Sequence, residues 1–213
     1  VYAPDYLRGF ESSITPPENC RFSFMKDNRQ VPIVLDGGNV VASRNKVILT
    51  DKVYRENQGC GRYALRYGLR EILEVDDCIL IPKEPYDPIG HSDGVVRFLT
   101  EDLVVVNDYS NIDPAYGARL QATLLRHHLH VEELPYFVEK RRKDGIGSAV
   151  GNYVNFLRVG NLIVVPAYGV PQDDQACRRL ESLCPQATVV PLLCVDLARD
   201  GGVLNCISWT IKA

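Results

Sequence analysis

Three stretches of this chain follow one plan, and a plan used three times constrains the fold more than any single motif. The first runs Gly37-Gly38-Asn39-Val40-Val41, a short polar turn, then Lys46-Val47-Ile48-Leu49-Thr50. The second runs Ser92-Asp93-Gly94-Val95-Val96-Arg97-Phe98-Leu99, a turn at Glu101-Asp102, then Leu103-Val104-Val105-Val106-Asn107. The third runs Asn152-Tyr153-Val154-Asn155-Phe156-Leu157, a turn at Gly160-Asn161, then Leu162-Ile163-Val164-Val165-Pro166. Short β-branched runs parted by turn residues read as β-hairpins. Ile48, Val105 and Val164 hold matching positions roughly 57 to 59 residues apart, a spacing in the range of supersecondary repeats.

The stretch after each hairpin repeats too. Residues Arg62 to Leu73 carry Leu65, Leu69 and Ile72 at helical spacing. Pro114 to about His128 predicts a second helix, with Asp113 as its N-cap and Leu120, Leu124 and Leu125 inward. Pro171 to Leu183 predicts a third, acidic at its start and basic later, as the helix dipole favours. Strands are expected to return at Cys78-Ile81, Leu129-Leu134 and Thr188-Leu193. The unit is therefore ββαβ and the class is α/β. A fourth copy begins at Gly201-Gly202. Registering the copies puts Asp36, His91 with Asp93, Asn155 and Cys206 at or near the opening of a first strand. Units packed around a pseudo-symmetry axis would bring those openings to one central cavity.

Composition sets the frame for that cavity. With 213 residues, 46% of them hydrophobic, the chain can build one good-sized core, so a single domain over residues 1–213 is expected. A balance of 24 Lys+Arg against 27 Asp+Glu gives no reason to expect nucleic acid or an anionic membrane as partner. Seven cysteines, at irregular spacing and without a CxxC pair, read as reduced thiols in a cytoplasmic compartment. No apolar run is long enough to span a bilayer. The chain starts at Val1, and its only methionine is Met25. The opening reads like mid-domain sequence, so a trimmed or truncated polypeptide is expected.

A thiol, an imidazole and a carboxylate in one cavity supply a nucleophile, a proton shuttle and a cation anchor. Each residue has a plainer reading as well. Cys206 alone on an apolar strand is more often a buried structural thiol. His91 could be a turn histidine bonded to Asp93. Asp36-Gly37-Gly38-Asn39 could be only a tight turn, and Asn155 a satisfied strand asparagine. Arg126-His127-His128-Leu129-His130 lies where a helix gives way to a strand and reads as solvated histidines rather than a metal site. Lys140-Arg141-Arg142-Lys143 reads as a solvated charge run. The Asp144-Gly145-Ile146-Gly147-Ser148 segment after it is expected to form a loop over the pocket.

Five segments decide between these readings: Leu35-Asp36-Gly37-Gly38-Asn39, Tyr86-Asp87-Pro88-Ile89-Gly90-His91-Ser92-Asp93, Asn152-Tyr153-Val154-Asn155-Phe156, Val164-Val165-Pro166-Ala167-Tyr168-Gly169 and Gly201-Gly202-Val203-Leu204-Asn205-Cys206. In this order they resemble the guanidino-group-modifying enzymes of the pentein superfamily, in the branch of agmatine deiminases and bacterial-type peptidylarginine deiminases. The resemblance implies a pentein-type α/β propeller of pseudo-symmetric ββαβ repeats, incomplete at the N-terminal side. It implies Cys206 as nucleophile, His91 as acid/base, Asp93 and Asp36 as carboxylates holding a guanidinium, and Asn39 and Asn155 as further pocket residues. One element departs from the family: the Arg-Asp motif expected upstream of Asp36 is absent, and Tyr2-Ala3-Pro4-Asp5-Tyr6 stands there without it.

By the same resemblance the expected activity is a deiminase that turns a guanidinium into a ureido group plus ammonia, without metal or organic cofactor. Agmatine is the first substrate and peptidyl-arginine the second. A non-catalytic pentein-fold binding protein and an inactive fragment are the alternatives. An incomplete propeller would expose sheet edges and apolar faces, which favours a homo-oligomer.

Overall fold

The apolar runs that mark each repeat become the middle strands of three separate sheets. In the computed structural model, which describes residues 33–139 and 147–208, β1 (Val41–Ala42) pairs antiparallel with β2 (Lys46–Thr50). β2 in turn pairs parallel with β3 (Asp77–Ile81). Four of the five β2 residues are buried, as a strand covered on both faces requires. The crossover from β2 to β3 passes through α1 (Lys52–Glu56) and α2 (Arg62–Leu73). α2 buries Leu65 and Leu69, four residues apart on one face, and stops where Glu74 turns left-handed at φ 54°.

The second and third units repeat this order. β4 (Val96–Phe98), β5 (Leu103–Asn107), α3 (Pro114–Arg126) and β6 (His130–Leu134) form the second, with an antiparallel then a parallel pairing. β7 (Leu157–Val159), β8 (Leu162–Ala167), α4 (Pro171–Leu183) and β9 (Thr188–Leu193) form the third in the same pattern. The Asp113 carboxylate caps α3 by accepting the Tyr116 N–H at 2.9 Å. A short α5 (Val195–Arg199) comes after β9. Neighbouring units share their cores: α3 lies against β3 as well as β6, and α4 against β6 as well as β9. Among the described residues, no helix is long and apolar enough to cross a membrane.

The helices and returning strands lie within a residue or two of their expected places; the openings of the repeats do not. Gly37–Asn39 form a single 3-10 turn, closed by Asn39 N–H to Asp36 O and Val40 N–H to Gly37 O. The Ser92 carbonyl accepts both the Val95 and the Val96 N–H, so residues 92–95 are a turn. β7 likewise starts only at Leu157. Val95, Val154 and Phe156 are buried by packing rather than by pairing in a sheet, and an apolar run of this length does not reveal which. The fourth copy shows a turn over 204–207, not a strand, among the described residues, so Cys206 stands in a turn. Helices α1 and α5, of five residues each, had no periodic signal long enough to read. Residues 1–32 and the charge run 140–143 lie outside the described residues, as does the loop segment 144–146.

Candidate active site

The turns that open the repeats are bonded to one another in sequence. The Asp93 N–H donates to the Gly38 carbonyl at 3.2 Å, and the Asp93 carbonyl accepts from Asn155 Nδ2 at 3.1 Å. Asn155 Oδ1 then accepts the N–H of Asn205 at 3.1 Å and of Cys206 at 3.3 Å. Each unit thus contributes one turn to a chain of hydrogen bonds running from Gly38 to Cys206. These turns and the segments 84–89 and 147–150 enclose a cavity of about 780 Å³, a size suited to a small ligand.

Asp36, His91, Asp93, Asn155 and Cys206 all line that cavity. Cys206 Sγ lies 3.7 Å from Asp93 Oδ2, and His91 Nε2 lies 2.6 Å from Asp36 Oδ2. The imidazole occupies space that any residue but glycine at position 38 would fill, since a Cβ there would fall 2.3 Å from His91 Nδ1. Asn39 is different. It is fully buried beside the cavity, and its Oδ1 accepts the Thr50 N–H at 2.8 Å and the Thr50 hydroxyl at 2.9 Å. That places Asn39 in the support of the turn rather than in the pocket expected of it, because its acceptor is already spent on β2. Asn155 reaches the cavity, yet its side chain is committed to Asp93, Asn205 and Cys206, which gives it a positioning task.

Burial governs the electrostatics. Asp93 is 3% exposed, and desolvation pushes its carboxyl above the usual range. His91 first, then the Asn205 amide and Arg97, oppose that shift. The Cys206 surface is open to the cavity, but the surrounding protein and the Asp93 charge raise its thiol from 9.0 to about 11. Five carboxylates line the cavity: Asp36, Glu84, Asp87, Asp93 and Glu139. No Lys or Arg among the described residues does. The lining therefore favours a cation.

Three functional neighbours went unread in the sequence. Lys52, almost fully buried, places Nζ 3.4 Å from Asp36 Oδ2 and 3.1 Å from Glu56 Oε1. Asn205 donates its amide to Asp93 Oδ2 at 2.9 Å and accepts Arg97 Nη1 at 2.5 Å. Asn205 adjoins Cys206 and could have been suspected. A charged Arg97 inside Val95-Val96-Arg97-Phe98-Leu99 also carried a signal, because a charge in an apolar strand needs a partner. Lys52 offered none. No group of three or more His, Cys, Asp or Glu side chains forms a metal-binding cluster among the described residues.

Comparison with known proteins now fixes the family. Residues 15–211 match the model for the Porphyromonas-type peptidyl-arginine deiminase. The chain belongs to that family. An agmatine deiminase of Stutzerimonas stutzeri is 29% identical over 208 residues, covering 82% of this chain and 56% of that protein. An agmatine deiminase of C. jejuni solved with substrate bound superposes with a TM-score of 0.73 at 18% identity, over 85% of this chain and 57% of the other. The agmatine deiminase of Enterococcus faecalis gives 0.72 at 21% identity, over 82% and 56%. These structural likenesses show that the chain shares the α/β fold of those enzymes, here built from ββαβ units. The chain spans less than two thirds of the length of the curated relatives it matches.

Proposed function

We propose that this protein is a guanidine deiminase and that agmatine is its substrate. The observation that carries this reading is the cavity itself: one thiol and one imidazole among five carboxylates, without a lining Lys or Arg among the described residues. A guanidinium is planar and cationic, with paired N–H donors that carboxylates accept two at a time. Asp93, held beside the Cys206 thiol, is the anchor for that plane. Asp36 is bound to His91 and Lys52, so its first task is to hold the imidazole, and it adds negative charge to the same wall.

The reaction proceeds in two displacements. Guanidinium bound against Asp93 offsets the charge that keeps the thiol protonated, and Cys206 passes its proton to neutral His91 and becomes the nucleophile. The sulfur bonds to the guanidine carbon. His91 as imidazolium gives a proton to the departing nitrogen, the C–N bond breaks, and ammonia leaves behind a covalent thiouronium. Neutral His91 then takes a proton from water, whose oxygen bonds to the same carbon. The C–S bond breaks, the thiolate is restored, and the product is a ureido compound. Agmatine carries a second positive charge at its far end, which suits the further carboxylates Glu84 and Asp87 in the cavity lining. Peptidyl-arginine is the second reading, supported by the name of the matched family.

A colorimetric ureido assay of the intact protein over agmatine, free arginine and blocked arginine peptides tests this. Agmatine is expected to yield ureido product and ammonia in equal amounts, and Cys206→Ala to lower turnover more than ~10³-fold. Turnover of blocked peptides alone would move the substrate to peptidyl-arginine. No turnover of any guanidine would favour a non-catalytic binding protein, and full activity in Cys206→Ala would sink the mechanism.

A further inference from the structure

Beneath the cavity floor lies a cation that the proposed chemistry does not use. Arg97 sits on β4, where Val96 and the preceding Val95 are buried. Its guanidinium lies over the Phe156 ring, 5.4 Å from the centroid. Burial works against its charge and the nearby Asp93 supports it. Between the two charges stands one amide. Asn205 turns its oxygen to Arg97 Nη1 at 2.5 Å and its NH₂ to Asp93 Oδ2 at 2.9 Å. Only that orientation satisfies both partners, since guanidinium only donates and carboxylate only accepts. The amide dipole is therefore aligned from the half-buried cation to the buried anion, and Asp93 Oδ2 is the same atom that Cys206 Sγ approaches at 3.7 Å.

We propose that Arg97 and Asn205 form a positioning relay that fixes the Asp93 carboxylate and draws Cys206 toward its thiolate. The inference rests on the reading of Cys206 as the nucleophile. Arg97 does not line the cavity, so it acts through Asn205 and through its field in a low-dielectric surrounding. Replacing the amide oxygen, or the cation behind it, frees Asp93 Oδ2 to hold the thiol proton more tightly. Among the described residues, Asp93 acts on Cys206 from the turn before β4, His91 acts on Asp93, and Arg97 acts on both Asp93 and Cys206, with Arg158 of β7 opposing its charge. Arg97 attracts both the Asp93 carboxylate and the Cys206 thiolate, so losing its charge moves the thiol upward.

The test reads Cys206 without substrate. Iodoacetamide alkylation of the Cys206 peptide is followed by mass spectrometry from pH 7 to 11 in the intact protein, with exposed Cys60 as an internal standard. Arg97→Met is expected to slow Cys206 alkylation roughly 10-fold throughout the range below the thiol's midpoint, as a rise of about one pH unit in that midpoint would. Cys60 is expected to stay unchanged. Asn205→Leu is expected to slow alkylation in the same way, and Arg97→Lys to recover at least part of the rate. A Cys206 profile in folded Arg97→Met that superposes on the wild type overturns the relay. If Arg97→Met does not fold, Asn205→Leu takes its place, and a profile that superposes on the wild type overturns the relay there too. A shifted profile in a protein that deiminates no guanidine would sink the proposed function and leave the relay standing.

Discussion

A single glycine decides where the imidazole sits. A Cβ at position 38 would meet His91 Nδ1 at 2.3 Å and Cε1 at 2.8 Å, whereas a Cβ at Gly37 meets nothing within 4 Å. Gly38→Ala is therefore expected to push the ring off Asp36 and lower kcat about 100-fold, the usual scale for a catalytic group misplaced by an ångström. Gly37→Ala, one residue away, is expected to keep near-normal kcat. Both variants are to be compared by ureido release, with thermal melts to show that each is folded. Equal losses in the two would show that the turn, not the space for His91, is what matters. At this scale the sequence was legible wherever chemistry and position agreed. Asp36, His91, Asp93, Asn155 and Cys206 each lie in a repeat-opening segment, and all five reach the cavity. Asn39 is not among the residues that line the cavity, and a glycine turn does not show which of its side chains faces inward. Lys52 was missed because its approach to Asp36 depends on how α1 is folded back, which no local pattern encodes.

Elements long enough to show a period were read closely, and those set by hydrogen bonds across the chain were not. Helix α2 has the bounds its apolar spacing gave and α4 those its charge order gave, while α3 ends two residues early, at Arg126. The first strands shrank because their leading residues serve turns, with backbone and side chains bonded to other repeats. Two carboxylates show how differently the helix starts are held. Asp113 takes one N–H, from Tyr116. Asp173 takes three, from Tyr168 (3.0 Å), Gly169 (2.7 Å) and Val170 (3.1 Å), and also the Tyr153 hydroxyl at 2.6 Å. Asp113→Ala is expected to cost about 1 kcal/mol, as a lost N-cap does. Asp173→Ala is expected to cost about 2–3 kcal/mol, because a buried tyrosine hydroxyl loses its partner along with the charged cap. Urea unfolding of the two variants against the wild type gives both numbers; a larger loss at Asp113 would reverse the argument.

The described residues form three units fastened at their seams, and their core carries groups that resist ionisation. Glu101 of the second unit accepts the Ser43 hydroxyl and the Arg44 and Asn45 N–H groups of the first, each at 3.0 Å, while Arg158 Nη1 of the third reaches the Leu99 carbonyl at 2.8 Å. Inside the first unit, fully buried Cys78 has its thiol raised from 9.0 to about 11, chiefly by desolvation. Linkage sets the sign of the effect. The unfolded chain releases this proton near pH 9 and the folded chain only near pH 11, so the protonated thiol supports folding below pH 9. That support declines as pH rises from 9 and is gone above 11. A rise of that size corresponds to about 2.7 kcal/mol at most. Buried Tyr109, Tyr116 and Tyr168 and partly buried Tyr136 are also raised by desolvation, so they add losses of the same sign above pH 10. Denaturant unfolding at pH 8 and at pH 11 is expected to show this decline in the wild type. Cys78→Ala starts lower because of the cavity it leaves. Its fall between the two pH values is nevertheless expected to be smaller, by up to about 2.7 kcal/mol. Equal falls in both proteins would mean that the Cys78 proton is not part of what holds the first unit together.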